Sequence, residues 1–236
     1  MIKQYKQGNQ VIWYDGSLID QPSELLFDPS YWQQQQRVLG SAQGRGTTWF
    51  VDMGQCHAAL RHYRRGGLFG KLVEDKYLFT GWDQTRAYQE LMLLDQLKQA
   101  GVNVPKPIAA KVEKSGLTYT ADLLIEKIAD AQDLVAILKQ GKLSEQAYYQ
   151  IGEMIGKMHQ QQVNHTDLNI HNILLDSDQA VWIIDFDKCR KEAGEHWKKK
   201  NLGRLKRSFA KECQRFAIHW SENDWLPLQQ GYSDQF

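Results

Sequence analysis

Cysteine is nearly absent from this 236-residue chain, with three residues in all. Cys56, Cys189 and Cys213 are far apart, odd in number and in no metal-ligand spacing. That excludes a disulfide framework and suits reduced thiols in a cytosol. Long hydrophobic runs are missing too. No stretch approaches the roughly 18 consecutive apolar residues of a spanning helix, and Met1-Ile2-Lys3-Gln4-Tyr5-Lys6-Gln7 has no apolar core of an export signal. The expectation is a chain neither exported nor integral to a membrane. Charge of one sign does not prevail either, because the formal net charge is +1. Charge is placed locally instead. Arg61, Arg64, Arg65 and Lys71 form one basic cluster, and Lys198, Lys199, Lys200, Arg204, Lys206, Arg207 and Lys211 form another. What the chain has in quantity is core material: 42% hydrophobic residues suffice for one large domain or two small lobes.

The stretch from His165 through Thr166, Asp167, Leu168, Asn169, Ile170 and His171 to Asn172, followed by Val181-Trp182-Ile183-Ile184-Asp185-Phe186-Asp187, carries the chemistry. Phosphoryl transfer needs a carboxylate at the attacking hydroxyl and oxygen ligands that hold Mg²⁺ on the nucleotide phosphates. In the loop pattern H-x-D-x-x-x-x-N the Asp faces the acceptor and the Asn faces the metal. His165, Asp167 and Asn172 stand at those positions. Two short apolar runs, Ile173 to Leu175 and Val181 to Ile184, flank the turn-prone Asp176-Ser177-Asp178-Gln179 and read as a hairpin that brings Asp185 back beside Asn172. Asp167 is the candidate base, and Asn172 and Asp185 are the candidate Mg²⁺ ligands of an ATP-dependent transfer. A lone Asp or Asn is commonly a loop former; the whole constellation points to transfer.

Upstream, the order of elements supports the same chemistry. Val11 to Tyr14 reads as a strand. Gly40 to Gly46 reads as a loop whose glycines leave backbone N–H groups open to an anion, with Gly44, Arg45 and Gly46 over a phosphate, although glycines also serve plain hairpin turns. Thr47 to Val51 and His57 to Tyr63 continue as strands. A kinase needs a cation on the strand after the loop. Arg61, preceded by Ala59, stands there and keeps the charge with a bulkier group than lysine; a solvated strand arginine is the alternative.

Asp83 is a candidate cap for a helix over Gln84 to Gln99 with Ala87, Leu91, Leu94 and Lys98 on one stripe. Glu90 in its second turn is the candidate partner of Arg61, or else an ordinary exposed glutamate. After strands over Ile108 to Val112 and Tyr119 to Ile125, Glu126-Lys127-Ile128 reads as a hinge between an N-lobe of residues 1–125 and a C-lobe of residues 129–236. There the carbonyl of Glu126 and the N–H of Ile128 would meet adenine. Asp133 to Leu138 predicts a short helix. A longer one capped by Ser144 runs to Gln161, with Tyr148, Ile151, Ile155 and Met158 buried.

A strand-rich lobe, a hinge and a helical lobe entered through H-x-D-x-x-x-x-N resemble the protein-kinase-like fold: an α+β chain with an antiparallel sheet and one helix in the N-lobe and a reduced, mainly helical C-lobe. Within it, Leu60 to Leu68, His165 to Asn169, Ile184 to Asp187 and Asn201 to Ser208 resemble the Kdo kinases of Gram-negative bacteria. The resemblance implies phosphorylation of 3-deoxy-D-manno-octulosonic acid on the lipid A precursor, at its 4-hydroxyl, using ATP. The residues independently disfavour a protein acceptor. Thr166, Asn169 and Asp187 stand where protein kinases carry the H-R-D arginine, the loop lysine and the D-F-G glycine, and no A-P-E follows. Regulation by a phosphorylated activation loop is therefore not expected. Kinases acting on a heptose, an aminoglycoside or a choline-like alcohol are the nearest rivals, with a pseudokinase behind them.

From Trp197 to Phe216, apolar Leu202, Leu205, Phe209 and Phe216 follow helical spacing while the basic residues take the other positions. Each Lys or Arg near an anionic bilayer contributes about 1 kcal/mol, so this face suits peripheral attachment on the cytoplasmic side of the inner membrane. A charge run is also, commonly, a solvated helix face. Arg64, Arg65, Asn169, Asp187, Arg204 and Arg207 are the candidate contacts to the acceptor, arginine being favoured for carboxylate and phosphate. No nucleic-acid role is expected, because the aromatics fall on the apolar stripe, and no obligate protein partner is evident.

Overall fold

A computed structural model describes residues 1–44, 46–65 and 75–236. The chain forms two compact units, one of residues 1–95 and 106–127, the other of residues 96–105 and 128–236.

The first unit is built on an antiparallel sheet of β1 (Ile2–Gln7), β2 (Gln10–Asp15), β3 (Val38–Gln43), β4 (Thr47–Asp52), β5 (His57–His62), β6 (Tyr77–Leu78), β7 (Pro107–Ser115) and β8 (Thr118–Glu126). Its order is β1-β2-β7-β8-β5-β4-β3, with β6 paired to β8. Side chains alternate across a strand, and here both faces are covered. Val11 and Trp13 join one core with Ala87 and Leu91 of helix α2 (Arg86–Gln99), while Ile12 joins another with Trp32 of α1 (Pro29–Gln34) and Phe27.

Several expectations change here. β1 is an edge strand whose residues after Ile2 are all exposed, so it carries no apolar alternation to read. A polar, lysine-bearing edge of this kind resists pairing with other chains. The expected loop over Gly40 to Gly46 is mostly strand. β3 pairs with β4 from Val38 to Gln43, with its register shifted at Gly40. α1 was not foreseen; Asp28 accepts the Ser30 N–H at 2.8 Å and proline follows it in the first turn. α2 starts at Arg86 rather than Gln84, because Trp82–Gln84 form a 3₁₀ turn that contains Asp83. Its buried stripe runs through Ala87, Leu91, Leu94 and Leu97, and Lys98 is exposed.

The second unit contains α3 (Leu134–Gln140), α4 (Glu145–Gln160), α5 (His196–Phe216) and α6 (Trp225–Ser233). Small sheets join β9 (Gln132–Asp133), β11 (Ile173–Leu175) and β12 (Val181–Ile183), and pair β10 (Val163–Asn164) with β13 (Arg190–Lys191). The segment 96–105 belongs here for a physical reason. Asn103 accepts the Ile183 N–H at 3.0 Å on its carbonyl and donates its side-chain amide to Val181 O at 3.0 Å.

Caps set the helix starts: Asp133 accepts the Ala136 N–H at 2.7 Å and Ser144 accepts the Ala147 N–H at 3.1 Å. α4 and α6 touch backbone to backbone. A Cβ on Gly152 would collide with the Leu228 carbonyl, and one on Gly231 with the Tyr149 carbonyl. The absent side chains are what admit this approach.

In α5 the buried stripe is Trp197, Lys198, Asn201, Leu205, Phe209 and Glu212. Two expectations fail. Lys198 is buried and paired with Glu195 at 2.8 Å rather than part of a basic outer face, and Phe216, expected on the apolar stripe, is 39% exposed.

Candidate phosphotransfer site

In the first unit, β5 carries Arg61 opposite Thr48 of β4 and Leu123 of β8. Its Nη2 lies 2.7 Å from both carboxylate oxygens of Glu90. The helix start one turn before Glu90 turns that residue inward, where it is only 4% exposed. The Tyr63 hydroxyl donates to Glu90 Oε2 at 2.5 Å, and the Arg61 guanidinium sits 5.1 Å from the Tyr63 ring. A buried carboxylate engaged in this way fixes a guanidinium in place. Arg61 and Glu90, inferred as partners from element order alone, are in fact an ion pair.

The neighbouring basic residues divide. Arg64 is exposed, and its side chain lies against Gly46, where a Cβ would meet its Cδ at 2.9 Å. Arg65 is exposed with its guanidinium 5.0 Å from the Tyr77 ring. Arg45 and Lys71 lie outside the described residues. The Gly44 N–H, expected to meet an anion, donates to the Gly46 carbonyl at 2.9 Å and closes the turn. Glu126 ends β8 with its N–H on Lys106 O at 2.8 Å, and Ile128 begins the longer stretch of the second unit.

The loop between β10 and β11 holds the carboxylate and amide of the motif. His165 is fully buried and donates from Nε2 to the Ile184 carbonyl at 2.9 Å, with its ring edge-on to Phe186. Burial lowers its pKa and keeps it neutral, so it acts as a brace. The brace links the catalytic loop to the strand end just before Asp185. The Ile184 N–H in turn donates to the Asn172 carbonyl at 3.0 Å. The two candidate metal ligands thus stand on adjoining backbone, with Asp185 at a left-handed φ of 66°.

Asn172 donates its side-chain amide to the Asp167 carbonyl at 3.0 Å, which turns its Oδ1 away as the atom able to meet a cation. An amide oxygen and a carboxylate are hard donors of the kind Mg²⁺ takes together with phosphate oxygens. Among the described residues no group of three or more His, Cys, Asp and Glu forms a ready-made metal cage. A nucleotide-borne ion needs none.

Asn169, expected to face the acceptor, instead donates to Asp167 O at 2.8 Å and accepts the His171 N–H at 2.9 Å. Both ends of its amide are engaged within the loop. Asp187 is partly exposed after Phe186, and Arg207 is exposed along its own helix beside Gly203.

Sequence reading missed how α5 meets this loop. Arg204 lies 3.2 Å from Asp167 Oδ1, Ser208 Oγ accepts the Ile170 N–H at 3.1 Å, and Glu212 lies 3.5 Å from His171 Nε2. His171 also stands 3.7 Å from Asp133. Residues 204, 208 and 212 recur every fourth position and so share one helix face. That spacing was the available signal, hidden because the serine and glutamate read as surface residues.

Comparison with known proteins converges on one family. Residues 29–232 match the family model described as Lipopolysaccharide kinase (Kdo/WaaP) family. A Vibrio parahaemolyticus protein named 3-deoxy-D-manno-octulosonic acid kinase is 60% identical over 233 residues, covering 99% of this chain and 98% of the relative. A protein of the same name from Vibrio vulnificus is 57% identical over 235 residues, covering 100% of both. Among solved structures, one titled "WaaP in complex with acyl carrier protein" aligns with a TM-score of 0.60 at 18% identity, covering 88% of this chain and 83% of that one. At that identity it speaks for the fold alone.

Proposed function

This chain belongs to the lipopolysaccharide kinase (Kdo/WaaP) family, and on that premise we propose that it is an ATP-dependent kinase of 3-deoxy-D-manno-octulosonic acid, phosphorylating the 4-hydroxyl of that sugar on the lipid A precursor. The names of relatives at 57% and 60% identity over nearly the whole chain support this acceptor over a heptose, an aminoglycoside or a choline-like alcohol. The observation that carries the reaction type is the locked loop: Asp167 is held through its carbonyl by Asn169 and Asn172 while its carboxylate stays exposed. A base fixed by its backbone and open at its side chain can orient a hydroxyl and take its proton.

In this reading Asn172 and Asp185 hold Mg²⁺, which when bound draws charge from the phosphate oxygens. Arg61, set by Glu90, grips phosphate oxygens, and the turn at Gly44 and Gly46 lies over them. Glu126 and Ile128 meet adenine through their backbone groups. Arg64, Arg65, Asp187 and Arg207 are left as contacts to an anionic acceptor. The exposed Lys199, Lys200, Arg207 and Lys211 suit attachment to the anionic cytoplasmic leaflet of the inner membrane. Among the described residues no helix is long and apolar enough to cross a membrane.

The test is mass spectrometry of the lipid A precursor bearing Kdo after incubation with enzyme, ATP and Mg²⁺. One added phosphate on Kdo is expected. Asp167→Ala should abolish it while nucleotide binding persists; retained transfer by that variant rules out the base.

A further inference from the structure

We infer that Arg204 is a catalytic cation of the transfer step, poised on the catalytic carboxylate in the resting enzyme and delivered from α5 by a brace of two further contacts to the loop. The inference rests on the kinase reading above and deepens it at the same site.

Transfer moves negative charge onto oxygens around the reacting phosphorus, and a fixed donor aimed at that charge lowers the barrier. The loop itself supplies no such donor near Asp167. Thr166, Leu168 and Asn169 are uncharged, and the amide of Asn169 is engaged at both ends. Among the described residues Arg204 is the cation brought to Asp167, with Nη1 3.2 Å from Oδ1.

The form of this contact argues that it is not there to hold the fold. Its side chains are 51% and 58% exposed, and a single nitrogen touches a single oxygen. Such pairs add little stability. The helix behind Arg204 is nevertheless fixed with care. Ser208 Oγ accepts the Ile170 N–H and donates to Leu205 O at 2.7 Å. Glu212, 2% exposed, meets His171, whose other ring nitrogen faces the α3 cap Asp133. A carboxylate is expensive to bury. Burying one to anchor the helix to the loop makes sense if the backbone two turns away on the same face, which carries Arg204, must be held in place beside the loop.

The step balances as follows. The acceptor hydroxyl oxygen bonds to the γ-phosphorus as its proton passes to Asp167. The bond between that phosphorus and the β–γ bridging oxygen breaks, and its electron pair leaves with ADP. Arg204 neither gives nor takes a proton. It passes from the carboxylate to the oxygens of the phosphoryl group, which a guanidinium can grip with two N–H groups. Arg204 is then catalytic, and Ser208, Glu212 and His171 are positioning residues.

The experiment measures phosphoryl transfer to the Kdo-bearing lipid A precursor by wild type, Arg204→Ala and Arg204→Lys, with guanidinium chloride or an equal concentration of sodium chloride. Arg204→Ala is expected to lose kcat by about 10²- to 10³-fold, with KM for ATP and for acceptor within about threefold. Guanidinium, unlike sodium, should restore part of the loss, and Arg204→Lys should fall between. A kcat within about threefold of wild type, a rise confined to the acceptor KM, or a loss that guanidinium does not relieve would overturn the inference. If wild type itself transfers no phosphate to this acceptor, the kinase reading falls and takes the inference with it; an active wild type beside an unimpaired Arg204→Ala removes the inference alone.

Discussion

Two arginine–carboxylate pairs of this molecule, Arg61–Glu90 and Arg204–Asp167, have little in common beyond their chemistry. In Arg61–Glu90 the carboxylate side chain is 3% exposed, both its oxygens lie 2.7 Å from one nitrogen, and a tyrosine hydroxyl closes the cluster. In Arg204–Asp167 each side chain is more than half exposed and a single 3.2 Å contact joins them. The first has given up its solvation and can be kept only as a pair. The second retains its water and exchanges partners at little cost. Burial thus separates a guanidinium that must stay still from one that is free to move onto a substrate.

Three measurements sharpen or break this contrast. The largest effect of a single substitution is expected at the buried pair: Glu90→Ala should lower the unfolding free energy by about 3 kcal/mol in urea titrations, since it removes the partner of Arg61 and of the Tyr63 hydroxyl together. A loss below about 1 kcal/mol would mean that the two pairs do not differ in kind.

The next effect uses pH and sets His62 of the first unit against His159 of the second. His159 is buried between the Tyr232 hydroxyl at 3.0 Å and Asn201 at 3.2 Å, and burial pulls its pKa down to about 4. The unfolded chain, with the ordinary value near 6.5, then binds more protons between those limits. Stability should fall as pH drops from about 6.5 to 4, by about 1.4 kcal/mol per pH unit for this one group. His165, lowered for the same reason, contributes with the same sign. His62 has the opposite sign, because its hydrogen bond to Asp122 raises its pKa against the opposing effect of burial. Its contribution is full below the unfolded value and is lost as pH rises through the folded one. Melting temperatures across pH should therefore decline on both sides, and His159→Gln should flatten the acid limb alone. The smallest effect belongs to Arg204→Ala, which should change the unfolding free energy by less than about 0.5 kcal/mol whatever it does to turnover.

Legibility in the sequence followed the range of the contacts involved. The loop from His165 to Asn172, the hairpin carrying Asp185 and the cap Ser144 are local patterns in which spacing sets geometry, and they read directly. Arg61–Glu90 spans β5 to α2 and was reached only through the order of elements, since an isolated helix glutamate looks exposed. The face of α5 against the loop was not read at all. A buried lysine, asparagine and glutamate broke its hydrophobic stripe; Lys198 pairs with Glu195 at the start of the same helix, but Asn164 and His171, the partners of Asn201 and Glu212, lie elsewhere in the chain. β1 escaped for a simpler reason: an edge strand of lysines and glutamines pairs through its backbone and shows no pattern in its side chains.

The glycines where α4 meets α6 bear on timing. α4 leads into the loop of Asp167, yet its face at Gly152 is closed by the backbone of Leu228 and Tyr232 in α6. A ribosome makes α4 long before α6. Throughout synthesis the support behind the transfer loop waits for α6, so the site gains its full backing only after that helix has emerged.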